Sequence, residues 1–291
     1  MIGTTYSSRL TSLTQAAGSI SREISTLQEQ ATTGLEITRP SDAPEQVEHL
    51  HSLSSQITDQ GTWSTNSERA MSYLDATDDA LGGMADLLSS ARELATQYAS
   101  ETYSTDDRAS GAEEAQSILD QIVALANTDI GGRHLFSGNA YDSAAYDSTG
   151  AYLGDTDAPS TLTGSDQDVA TGFVGTDLLQ SDTDIFSAVS DLVAALTADD
   201  TDAIAASIDT LEAAGEQITS ARTTVAAEFN HAEDANQLAG NMQILLSESL
   251  EATAGADMVS VYTSLSELQS NYQAVLQITA SSQSMSLFSM M

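Results

Sequence analysis

The chain has 291 residues, with 43 Asp or Glu against eight Arg, no Lys and no Cys, and a formal net charge of −35. So acidic a surface excludes recognition of nucleic acid and adhesion to anionic membranes, because phosphate contacts need a basic face. The missing cysteine excludes disulfide frameworks, thiolate metal sites and thiol catalysis.

From the N-terminus, Tyr6, Leu10, Leu13, Ala17, Ile20, Ile24, Leu27 and Ala31 alternate four-three without a break. That is an a/d seam, and it predicts a helix over about residues 5–33, ended by Gly34 as a left-handed cap. A short irregular stretch, 35–40, follows. Ser41 or Asp42 then reads as an N-cap, with Pro44 in the first turn and Glu45 as capping-box partner of Asp42. A second helix is expected to reach about Ser100, carried by Ala70, Leu74, Thr77, Leu81, Met84, Leu88, Ala91, Ala95 and Tyr98. Gly61 and the pair Gly82-Gly83 should weaken it locally, by about 1 kcal/mol each relative to Ala.

Ser104-Thr105-Asp106-Asp107 caps a third helix, near 106–127, with Ala112, Ala115, Leu119 and Ile122 inward and Gly131-Gly132 at its end. Residues 133–138 read as a short strand. Between Gly138 and Asp182 helical periodicity disappears, and Gly, Asp, Ser and Thr abound; a small β-rich, solvent-facing insert is expected. Helices resume after Asp182, over about 185–197 and again from about Asp202. There Ile204, Ile208, Leu211, Gly215, Ile218, Arg222, Val225, Phe229 and Ala232 keep the alternation, and the helix is expected to run on through Gly240 into the C-terminal one. The last seam is looser: Leu238, Met242, Leu245, Ala252, Ala256 and Val259, then Leu265, Leu268, Tyr272, Val275, Leu276 and Thr279.

Charge is not spread evenly. The last 24 residues, from Leu268 on, carry none, and the first 33 balance two Arg against two Glu. Self-repulsion is thus kept away from both ends, as chain ends need if many copies pack them side by side. Twelve of those last 24 residues are Ser, Thr, Asn or Gln, too polar for a membrane span. Residues 1–5 show neither the basic nor the apolar part of a cleavable signal.

Nothing points to chemistry. His49 and His51 lie two apart on a helix and cannot chelate one metal. His134 and His231 have no ligating neighbours in sequence. The pairs Asp155/Asp157, Asp166/Asp168 and Asp182/Asp184 lack the full ligand set of a calcium loop, and Asp182 and Asp200 read as helix caps. No phosphate loop, nucleophile elbow or metalloprotease motif occurs. No cofactor or metal is expected, and no catalytic residue.

Three segments carry a resemblance. Thr33-Gly34 followed by Thr38-Arg39-Pro40-Ser41-Asp42-Ala43-Pro44 resembles the turn of the flagellin superfamily, in the form typical of its hook–filament junction branch. Gly132-Arg133-His134-Leu135-Phe136-Ser137-Gly138 is similar to that branch's signature, where Gly132, Arg133, Phe136 and Gly138 occupy the glycine, basic, aromatic and glycine places. Asn271-Tyr272-Gln273-Ala274 and Ser286-Leu287-Phe288 resemble the closing helix. Ala43, Leu35 and the final Ser289-Met290-Met291 depart from the usual pattern.

The resemblance implies a mainly α fold: a long antiparallel helical rod with coiled-coil terminal helices and a small β-rich insert. Expected divisions are a terminal assembly layer (1–40 and 251–291), a rod (41–137 and 183–250) and the insert (138–182). The assembly interface would be the seam of Tyr6 through Ala31 together with Leu265, Leu268, Tyr272, Val275, Leu276 and Thr279. The family turn would be Gly34, Arg39, Pro40, Ser41 and Asp42. Implied partners are the chain's own copies, hook-associated protein 1, flagellin and an export chaperone. Implied location is the extracellular flagellum, reached by type III export without a cleaved signal. Two other readings are a short flagellin and, of another class, a coiled-coil adaptor or signalling protein.

Overall fold

A computed structural model describes the backbone of residues 2–37, 43 and 45–289, and the side-chain surroundings of residue 8 and residues 11–37, 43 and 45–281. In chain order the elements are α1 (Ile2–Thr33), α2 (Val47–Tyr98), α3 (Thr105–Ala126), β1 (Asp129–Ile130), β2 (Arg133–His134), β3 (Ser160–Leu162), β4 (Asp168–Ala170), α4 (Gly175–Leu179), α5 (Ile185–Thr197), α6 (Thr201–Ala254) and α7 (Met258–Ser289). Two antiparallel hairpins, β1-β2 and β3-β4, are the strands among the described residues. The fold is mainly α with a small β insert, as expected. It forms two compact units, 1–58 with 242–291, and 59–241.

In the unit of 59–241, all nine expected seam positions of α2, from Ala70 to Tyr98, are buried. Such burial stabilises by about 2 kcal/mol per large aliphatic side chain. Gly82 and Gly83 leave α2 unbroken. A Cβ on Gly83 would stand 3.0 Å from the Leu125 side chain of α3, so the glycine lets that chain approach. Polar pairs set the direction of α2 against α6. Ser64 donates to Asn236 at 2.6 Å, Arg222 binds Asp78 at 2.7 Å, and Arg92 lies 3.7 Å from Glu212. Positions 64, 78 and 92 thus face 236, 222 and 212, which makes the two helices antiparallel.

Local chemistry sets the ends of the shorter helices. Ser104 and Asp107 form a capping box for α3, and the Asp184 carboxylate accepts from Phe186 and Ser187 at the start of α5. Asp200 does the same for α6, accepting from Asp202 and Ala203. Asp182 is not a cap: its N–H donates to the Gln217 side chain at 3.2 Å. Nor does Gly131-Gly132 end α3, which stops at Ala126. The pair sits at φ +62° and +82° and makes the two-residue turn between β1 and β2.

The solvent-facing insert is corrected. Tyr146, Val169, Phe173, Val174, Leu178 and Leu179 are buried, five of them in the same core cluster as the α2 seam. Their irregular spacing carries no periodic signal, because backbone pairing rather than one helical or strand face gathers them. Residues 175–179 are helical, which the sequence reading left out of the insert.

The unit of 1–58 and 242–291 packs α1 on α7. Gly34, at φ +74°, ends α1, and its N–H donates to Gln30 O at 2.8 Å. The C-terminal helix is not continuous from Asn236. α6 passes through Gly240 and ends at Ala254; Asp257 then caps α7, accepting from Val259 at 3.0 Å and Ser260 at 3.3 Å.

Candidate assembly interface

The terminal helices meet at a short backbone clamp. Leu35 and Gly255 form an antiparallel bridge, Glu36 N–H donates to Ala254 O at 2.6 Å, and Ala256 N–H donates to Gly34 O at 2.9 Å. The Gln30 side chain reaches around to Glu36 O at 2.9 Å. With the end of α1 held to the start of α7 and the two helices in contact, they run antiparallel. Sequence reasoning missed this clamp. Gly255-Ala256-Asp257 was its available signal, a glycine followed two residues on by an N-cap acid.

Along α1, the seam residues Leu13, Ala17, Ile20, Ile24, Leu27 and Ala31 are half-buried. Tyr6 and Leu10 lie outside the residues whose side chains are described, and Arg39, Pro40, Ser41 and Asp42 lie outside the described residues, as does the capping box of Asp42 with Glu45. On α7, Val261 is buried and Leu265, Leu268, Tyr272, Val275 and Thr279 are half-buried, whereas Leu276 is 47% exposed. The proposed continuation of that seam through Leu238, Met242, Leu245 and Val259 points outward instead, with Leu245 59% and Val259 77% exposed. Ala235, Ala239 and Ala254 are the buried residues of that stretch. The heptad was read one face off there, because alanine carries a weaker apolar signal than the leucines beside it. In this unit Met242, Ile244, Leu245, Val259, Tyr262, Leu276 and Ile278 are left as exposed large hydrophobics.

The Gly132–Gly138 signature lies in the other unit and organises the insert. Gly138, at φ +62°, donates to Phe173 O at 3.1 Å, and a Cβ there would stand 2.7 Å from Asp155 O and 2.9 Å from Asp157 O. Phe173 N–H donates to Leu135 O at 3.0 Å, Gly175 N–H to Phe136 O at 2.9 Å, and Asp155 N–H to Ser137 O at 2.9 Å. Phe136 is fully buried. The Arg133 guanidinium lies 5.1 Å from the Tyr73 ring and 5.0 Å from the Tyr141 ring, and donates to Thr171 Oγ1 at 3.0 Å. Asn127 grips Tyr146 by two hydrogen bonds of 2.9 Å, and the Tyr146 ring stacks obliquely on Tyr152 and Phe186. Burial holds the Tyr146 hydroxyl well above the ordinary phenol range, so it stays neutral.

A second polar node was not foreseen. Arg108, buried on α3, donates to Tyr98 O at 3.1 Å, to Ser100 O at 2.9 Å and to the Asp199 carboxylate. Asp199 sits at φ +56° in the turn between α5 and α6. Its hydrogen bonds from Thr105 and then Arg108 hold its carboxyl below the usual aspartate range. Among the described residues no group of three or more His, Asp or Glu is arranged to hold a metal, and no helix is long and apolar enough to cross a membrane. The four histidines stay apart in role: His49, His51 and His231 are exposed, and His134 Nδ1 donates to Asn127 O at 2.9 Å.

The terminal-helix unit is thus only half-covered, whereas the unit of residues 59–241 is built on a buried core. Residues 5–141 match the family model for the bacterial flagellin N-terminal helical region. That match covers a little under half of the chain. The chain is 30% identical to flagellar hook-associated protein 3 of Salmonella typhimurium over 157 residues, 53% of this chain and 50% of that protein. It is 23% identical to flagellar hook-associated protein 3 of Escherichia coli over 286 residues, 89% of this chain and 90% of that protein. Among solved structures, the flagellar hook-associated protein 3 of Legionella pneumophila shares the fold at TM-score 0.61 and 16% identity, covering 70% of this chain and 98% of that one. The chain is thus similar to flagellar hook-associated protein 3, spanning about half the length of the first of these relatives and 90% of the second.

Proposed function

We propose that this chain is the adaptor at the hook–filament junction, joining hook-associated protein 1 on one side to flagellin on the other. The observation that carries the reading is the half-burial of the α1 and α7 seams. Copies packed side by side would complete that burial, and residues 1–33 and 268–291 carry no net charge to oppose it. The exposed Met242, Leu245, Val259 and Tyr262 supply further apolar surface for neighbours. The Arg39-Pro40-Ser41-Asp42 sequence and the Gly132–Gly138 segment favour the junction branch over the filament subunit. The work is mechanical adaptation between two helical lattices, with no reaction. Export through the flagellar type III apparatus, with a dedicated chaperone and without a cleaved signal, belongs to the same reading.

A junction protein needs two different axial faces, so its self-assembly should stop at a short layer, whereas a filament subunit elongates without limit. A deletion strain is expected to keep its hooks, lose its filaments and release flagellin into the medium. Immuno-electron microscopy should place label in a band at the distal end of the hook. Label along the filament, or micrometre-long homopolymers of the purified protein, would move the chain to the flagellin reading.

A further inference from the structure

We infer that residues 59–241 form a salt-gated fold, held together in a saline medium and loosened in a dilute one. This unit holds 33 acids against five arginines, a formal charge of −28, while the rest of the chain holds ten against three. There is no lysine to answer the acids. Four of the five arginines are already engaged: Arg108 with Asp199 and two carbonyls, Arg222 with Asp78, Arg92 beside Glu212, and Arg133 between two tyrosine rings.

Acids stand close to one another on helix surfaces, Glu212 beside Arg92 among them. Asp75 and Asp79 on α2, and Glu212 and Glu216 on α6, are i,i+4 neighbours; Asp209 precedes Glu212 by three. All five are exposed, and like charges at these spacings repel. Opposing this repulsion is a core rich in alanine, with Ala70, Ala91, Ala95, Ala115, Ala126, Ala214 and Ala232 among its buried members. Alanine buries little apolar area, so the electrostatic cost weighs heavily in the balance. Salt removes that cost, because the screening length falls from about 30 Å at 0.01 M to about 3 Å at 1 M. The inference stands whether or not the junction reading holds.

The test uses the full chain and its one tryptophan, Trp63, which lies on α2 inside this unit. Thermal unfolding is followed by Trp63 fluorescence at neutral pH while NaCl rises from about 0.02 to 2 M, a range that takes the screening length from beyond the helix spacing to within it. The midpoint is expected to climb by more than about 10 °C, most steeply in the first few tenths molar, and choline chloride should act alike because screening ignores cation identity. The variant Asp75→Asn/Asp79→Asn/Asp209→Asn/Glu216→Gln should melt higher than the parent in dilute buffer and converge with it in concentrated salt. A midpoint indifferent to chloride salts, a rise produced only by sulfate or sucrose, or an unchanged salt slope in the variant would each overturn the inference.

Discussion

Two helices with the same four-three alternation have different fates in this molecule. On α2 the alternating residues, Leu74, Leu81, Met84 and Leu88 among them, are at most 1% exposed. On α1 the corresponding Leu13, Ile20, Ile24 and Leu27 are only half-buried. The pattern tells which face is apolar, and the number of neighbours decides how much of it leaves water. Most of α2 belongs to the core that α3, α5, α6 and the insert share, while α1 packs on α7 in the other unit. A half-covered seam in a chain with neutral ends is the state expected of a surface kept for other copies.

That contrast can be broken by substitution. Leu81→Ala, in the full core, is expected to cost about 2–5 kcal/mol, read as a drop in denaturation midpoint. Ile24→Asp should leave the Trp63 transition of residues 59–241 nearly unmoved and yet abolish incorporation into flagella, because assembly would bury an unpaired charge at several kcal/mol. An Ile24→Asp protein that melts as early as Leu81→Ala, or that supports normal motility, would erase the distinction between the two seams.

A somewhat smaller loss is expected from Arg108→Leu, on the order of 3 kcal/mol, because the carbonyls of Tyr98 and Ser100 lose their donor and Asp199 its counter-charge. Arg108→Lys should recover little of it, since one ammonium does not reproduce a planar fork reaching three acceptors. Next comes Gly138→Ala, at about 1–3 kcal/mol, from a left-handed backbone and a Cβ forced against two carbonyl oxygens. It should lower the same Trp63 midpoint, showing that the insert is part of this core. Unchanged stability after Gly138→Ala, or after removal of residues 138–182, would restore the insert to a free surface appendage.

The smallest effect concerns the exposed pair Arg222–Asp78, expected to contribute at most about 1 kcal/mol. The Arg222 guanidinium holds the Asp78 carboxyl below the ordinary aspartate value. Its contribution is therefore complete above about pH 4 and is lost as the pH falls through the lowered folded-state value. Arg222→Gln should lose the full contribution, at most about 1 kcal/mol, between pH 6 and 8 and progressively less as the pH falls below about 4, which flattens that part of the acid limb. An acid limb identical in the variant would show that the pair carries no pH-dependent stability.

Much of the molecule was legible in the residues alone. The α1 seam, the nine inward positions of α2, the Ser104 cap, Gly34 as terminator and the span of α5 all follow from repeats and caps within a few residues of each other. Such features depend on local backbone energetics and on one face being apolar, which a linear sequence displays. The neutral ends and the junction-type segments pointed to the family for the same reason. What tertiary structure alone decided involves partners far apart in the chain. Arg108 meets Asp199 across 91 positions, Arg133 lies between Tyr73 and Tyr141, and Leu35 pairs with Gly255. Tyr146 and Phe173 of the insert became core because residues 135–138 pair with 173–175, and the stretch from Leu238 to Val259 lay one face away because Ala235, Ala239 and Ala254, not the leucines, are buried there. Each of these rests on close approach between surfaces whose shapes no periodicity encodes.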